Sequence, residues 1–222
     1  MKRKCRYLFM IPFLFCWIPF AEAQPSGDFN IGFGTNHVKP NGLGIDNASS
    51  PINPFGVCAP GTGDAYCQPN PGLNGFFMGL GGDIMLKKHY GLGAEVTFLP
   101  SRGNYGPLQF RQTFYDFNGI FAPISEKRVV LKLMGGIGGS KTGFTLAQNA
   151  CVGTAVCQFS NEPIGSSSHF QIHVGAGVEV YVTQHIFIRP QFDFRYVPNF
   201  TDQFGSSAVT GGMLWIGFNT GR

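Results

Sequence analysis

The chain lacks an apolar run long enough to cross a bilayer as a helix: its oily N-terminal stretch, residues 7–20, is 14 residues long, short of the ~20 that a span needs. Pro12 and Pro19 interrupt it as well. The stretch instead follows the basic cluster Lys2, Arg3, Lys4 and Arg6 and precedes Ala21, Glu22 and Ala23. That is the order of a cleaved signal peptide. Residues 1–23 are therefore expected to be removed on export, leaving 24–222 as one domain. Cys16 does not read as a lipidation site, because Leu14 and Phe15 precede it where small residues would be needed.

Net charge is also missing from the exported part. Removing residues 1–23 takes away four of the 16 cations and one of the 12 acids, which leaves 12 against 11 and a net charge of +1. Phosphate backbones call for clustered positive charge, so no nucleic-acid partner is expected. Metal-ligand spacing is absent too. The remaining cysteines, Cys58, Cys67, Cys151 and Cys157, are not spaced as a zinc site would be. They lie instead as two close pairs in Gly, Pro, Asn and Ser-rich segments, which predicts the disulfides Cys58 with Cys67 and Cys151 with Cys157, in keeping with an oxidising compartment. His37, His89, His169, His173 and His185 form no close pair, and no cofactor is expected. The stretch 135–142 (GGIGGSKT) resembles a phosphate-binding loop, but Ser140 stands in place of its second glycine and no amphipathic helix follows.

What the chain has is two-residue alternation. In residues 169–182 Phe170, Ile172, Val174, Ala176, Val178 and Val180 share one face, and Gln171, His173, Gly175, Gly177 and Glu179 share the other. After a short turn, Ile186, Ile188, Pro190, Phe192, Phe194 and Tyr196 alternate with Phe187, Arg189, Gln191, Asp193 and Arg195. This is an antiparallel hairpin with one oily and one charged face. In a soluble sandwich the oily face would be core; in a membrane barrel it would meet lipid.

The rest of the chain repeats the pattern. Strands are predicted at 28–37, 74–86, 90–99, within 108–121, at 129–140 and at 207–218. The phase of the fourth is open, since Phe110 and Phe114 oppose Tyr115, Phe117 and Phe121 in parity and a bulge could intervene. The segments 38–73, 100–107, 141–168 and 198–206 read as loops, the first crowded with prolines. Long and short connections thus alternate around an even number of strands, as in outer-membrane barrels. Glycine gives the same answer: Gly79, Gly81, Gly93, Gly136, Gly138, Gly175 and Gly177 share the polar parity. A solvated sheet face gains nothing from glycine, whereas a narrow lumen is relieved by it. The expected fold class is all-β, an eight-stranded antiparallel up-and-down transmembrane β-barrel. A secreted soluble β-protein is the more distant reading.

Over residues 29–218, with Gly91-Leu-Gly-Ala-Glu-Val96 the most family-like stretch, the chain resembles the small outer-membrane barrels of the OmpA, OmpX and opacity-protein kind. The resemblance implies an integral protein of the bacterial outer membrane, a monomer contacting outer-membrane lipids and lipopolysaccharide and delivered by the barrel assembly machinery. Family members end on an aromatic residue read by that machinery. Here Phe218, on the parity of Ile216 and Leu214, is followed by Asn219, Thr220, Gly221 and Arg222, and the placement of Trp215 is open.

On the inferred lumen side fall Asp83, Glu95, Lys132, Glu179, Arg189, Asp193 and Arg195, expected to pair as a charge network that fills the interior. An ion path through them is the functional alternative. The expected role is structural or adhesive, through the segments 38–73 and 141–168 facing an extracellular partner. A lipid-modifying barrel enzyme is the alternative, its best available site being His173 or His169 with Ser167 or Glu179.

Overall fold

The computed structural model describes residues 26–39, 72–105, 108–152 and 156–221. The signal-peptide segment and Cys58 and Cys67 lie outside them.

The alternating segments form β1 (Ser26–His37), β2 (Phe76–Lys87), β3 (Tyr90–Phe98), the short β4 (Gly103–Tyr105), β5 (Leu108–Ser125), β6 (Val129–Val152), β7 (Val156–Tyr181), β8 (Ile186–Tyr196) and β9 (Ala208–Asn219). Each strand but β3 pairs antiparallel with the next along the chain, β1 pairs with β9, and β3 pairs with β5. Eight strands therefore close on themselves and leave no edge in the wall. β4 only lengthens the outer end of β5, through Gly103↔Phe110.

The period-2 pattern fixes which side faces which medium. Along β8, Ile186, Ile188, Phe192, Phe194 and Tyr196 are exposed while Phe187, Arg189, Gln191, Asp193 and Arg195 are buried. Around the wall Phe117 is 64% exposed, Phe29 and Leu92 59% and Ile137 58%. Large side chains so exposed on a closed ring make no sense in water. They are the lipid-facing belt of a transmembrane barrel.

Three expectations change. β5 alternates without a break, with Phe110, Gln112, Phe114, Asp116, Asn118 and Ile120 buried; its register shift lies beyond, between Phe121 and Ile124. The open phase is thus settled with Phe110 and Phe114 in the lumen, because the outer part of the lumen is itself apolar. Trp215 also points inward and is fully buried. Its ring lies over Gly32 and Gly79, where an added Cβ would come within 2.5 Å of ring atoms; glycine on the lumen parity is what makes room for it. Lastly, 141–168 is not an irregular loop. The β6–β7 ladder runs on to Val152↔Val156, with one register shift at Phe144/Thr145.

The lumen is layered. At the end bearing the long connections an apolar cluster includes Phe77, Phe110, Phe114, Phe200, Phe204 and Trp215. Phe200 and Phe204 come from the β8–β9 connection, whose 3-10 turn Phe200–Asp202 is flanked by Asn199 at φ 60° and Gly205 at φ 47°. These left-handed residues reverse the chain and drive both rings into the barrel mouth. There Phe204 meets Phe110 edge-on at 5.2 Å and Phe200 at 4.8 Å. A smaller cluster, Ala122, Val130, Tyr181 and Phe187, lies at the tight-turn end. Charged groups fill the space between.

Candidate functional site: the filled lumen and the projecting hairpin

All seven acidic and basic residues singled out in the sequence lie inside the barrel, each no more than 2% exposed. They form two linked groups. Toward the tight turns, Lys132 Nζ lies 2.7 Å from Asp28, 3.0 Å from Asp83 and 2.5 Å from Glu179. Arg189 reaches Asp83 at 2.8 Å and Glu95 at 2.6 Å with its two terminal nitrogens, and Glu179 at 3.6 Å. Its guanidinium also stands 5.4 Å from the Trp215 ring. That contact joins the ionic layer to the apolar one.

Gln191 connects the two groups by donating to Glu95 at 2.9 Å and to Asp193 at 2.8 Å. In the second group Arg195 donates through Nε to Asp116 at 3.0 Å and through a terminal nitrogen to Asn36 at 3.2 Å, its guanidinium 5.2 Å from the Phe114 ring. The ring of His173 sits between Asn118 Oδ1 at 2.8 Å and Asp193 Oδ1 at 3.0 Å. Six carboxylates thus face Lys132, Arg189, Arg195 and His173. Charges held this far from water persist only when paired and hydrogen-bonded, which is why amide side chains such as Gln171 and Asn219 also donate to Asp116 and Asp28.

Asp28, Asp116 and His173 belong to this network and escaped the sequence reading of it. Asp116 was obscured by the open phase of β5; its shared parity with Phe110 and Phe114 was the available signal. Asp28 is the third residue of β1, where alternation has little run to declare itself. His173 lies on the polar face, where a lone strand histidine reads first as a lumen hydrogen-bonder and only second as a catalytic group, and its bonds to Asn118 and Asp193 follow the first reading.

The geometry bears on the chemistry. Asp28, Asp83 and Glu179 each bring a carboxylate oxygen within 4.8 Å of the others, a spacing that could hold a cation, and the Lys132 ammonium already stands among them. A cavity of about 120 Å³ opens beside this group at the tight-turn end, lined in part by Asp28, Lys132, Glu179 and Tyr181 and rimmed by Lys87 and Lys88. The candidate catalytic residues are not assembled. His173 is engaged by Asn118 and Asp193, His169 packs edge-on against Phe200 at 6.3 Å, and Ser167 accepts a hydrogen bond from Gln203. The stretch 135–142 is the extended middle of β6, paired residue by residue with β7, with none of the turn a phosphate cradle requires.

Beyond the wall stands the β6–β7 hairpin. β7 loses its β8 partner after Ile172, opposite Tyr196, while β6 stays paired with β5 out to Leu108↔Leu146. The two-stranded ribbon is thus 147–152 against 156–161, about 20 Å long. Near the tip Cys151 and Cys157 are register partners.

No family model matches the chain, and a search of curated proteins finds no match. Among solved structures it is similar to Ail, the attachment invasion locus protein of Yersinia pestis, in complex with the heparin analogue sucrose octasulfate. That likeness has a TM-score of 0.51 and 14% identity over 88% of this chain and 99% of that one. It is also similar to Neisserial surface protein A (TM-score 0.49, 10% identity, 89% of this chain and 97% of that). The N-terminal β-barrel domain of Pseudomonas aeruginosa OprF gives a TM-score of 0.45 at 13% identity, covering 88% of this chain and 97% of that. Closed antiparallel topology, eight strands in the wall, an outward apolar belt and the likeness to Ail agree: the chain has the fold of the small bacterial outer-membrane barrels, an integral membrane β-barrel with a filled lumen.

Proposed function

We propose that this barrel is a non-conducting membrane anchor that presents the β6–β7 hairpin, together with the segment 38–73, to a partner outside the cell. The observation that carries this reading is the hairpin, whose ladder continues to Val152↔Val156, past the last β5 partner of β6 at Leu146. A barrel that served only to close its own wall would need no such ribbon. A two-stranded ribbon is marginally stable by itself, and a disulfide between the register partners Cys151 and Cys157 would hold its tip; the same role falls to Cys58 with Cys67 in the other segment. The charge network Asp83, Glu95, Lys132, Glu179, Arg189, Asp193 and Arg195 then acts as a plug that makes the anchor rigid.

The test replaces residues 147–161 by a two-residue turn and compares adhesion of cells displaying the full-length and trimmed proteins to epithelial monolayers. Full-length protein is expected to raise adhesion over cells lacking it, and trimming to abolish the gain while heat-modifiable gel mobility is retained. Adhesion unaffected by trimming, or absent with the full-length protein, would contradict this role.

A further inference from the structure

Two of the three tight turns meet at one sector of the rim. β3 pairs with β5 through Tyr90↔Phe121, the Ala122 N–H donates to His89 O at 2.9 Å, and His89 Nδ1 lies 2.6 Å from Ala122 O. The β2–β3 turn is thereby held against the end of β5 that leads into the β5–β6 turn. Between them the two turns carry Lys87, Lys88, Lys127 and Arg128, all exposed, against the single acid Glu126. The third tight turn, residues 182–185, has neither lysine nor arginine. Positive charge is therefore concentrated on one arc of the rim. On the lipid-facing wall at the same strand ends the Tyr90 and Phe121 rings stand 5.3 Å apart. One step deeper in the wall the register partners Ile84 and Leu92 are 55% and 59% exposed.

We propose that this sector binds an anionic phospholipid of the membrane leaflet in which the tight turns sit. The phosphate faces Lys87, Lys88 and Arg128, the glycerol and ester region lies against Tyr90 and Phe121, and the acyl chains run along Ile84 and Leu92. Charge complementarity selects the headgroup, because basic residues at a membrane surface attract acidic lipids. The aromatic pair selects an amphiphile over a free anion, since such rings favour the depth where headgroup meets chain. The inference rests on the membrane-embedded fold and not on the presenting role of the hairpin, so the two fail separately.

The full-length barrel, purified in a neutral detergent, would be titrated with phosphatidylglycerol or with phosphatidylcholine of the same chains and bound lipid counted by native mass spectrometry. Phosphatidylglycerol is expected to be preferred, with the preference falling about fivefold for each cation removed in Lys87→Gln, Lys88→Gln and Arg128→Gln. Added salt should weaken it in the unaltered protein, an arm that needs no variant. Equal binding of the two lipids, a preference retained in the triple variant, or equally effective displacement by glycerol phosphate, which has no chains, would overturn the proposal.

Discussion

The outer and middle layers of the lumen fill the same narrow space by opposite means. Around Phe77, Phe110, Phe114, Phe200 and Phe204 the packing is apolar, held by dispersion and edge-on ring contacts whose optimum is broad. Around Lys132, Arg189 and Arg195 it is ionic, with partners at 2.5 to 3.0 Å. An apolar plug asks only for volume, whereas a buried charge asks for its particular partner in a particular place. The difference explains the division of labour. The outer layer is finished by a connection that folds back into the mouth, which volume alone can satisfy. The middle layer is built wholly from rigid strands, which can hold donor and acceptor in register.

Substitutions sharpen this contrast. Lys132→Met keeps length and volume but strands Asp28, Asp83 and Glu179 without their shared cation, and should cost about 3–5 kcal/mol of stability. Urea unfolding in lipid vesicles reads it, and a loss under 1 kcal/mol would mean the ionic layer behaves as the apolar one does. On the outer wall, Val178→Lys puts a charge into lipid and should cost about 2–4 kcal/mol, seen as impaired assembly by heat-modifiable mobility. Normal assembly of that variant would reverse the assignment of faces. At the mouth, Phe200→Leu preserves the apolar plug and should cost less than about 1.5 kcal/mol in the same urea assay. A larger loss would show that the outer layer also depends on particular partners.

Much of this was legible from residues alone. Alternation in 169–196, with its glycines on the polar parity, led to the closed barrel and to the inward direction of Glu179, Arg189, Asp193 and Arg195. Two of the departures share a cause. Parity reports a face only when one face is polar, and in β5 both are apolar at the outer end, with Phe110 and Phe114 inside and Tyr115 and Phe117 outside. Trp215 was undecidable for the same reason. Its position follows from Gly32 and Gly79, register partners on β1 and β2, which β9 adjoins only once the ring is closed. The outer β6–β7 hairpin resembles a loop in composition, through its serines, glycines and Pro163, while the ladder that orders it comes from pairing between its own two limbs.

The central claim is that both layers together seal the barrel, and steady single-channel conductance of the purified protein in a planar bilayer tests it most directly. The filled lumen predicts no resolved steps above the bare-membrane baseline. Reproducible, long-lived conductance steps from the unaltered protein would contradict it.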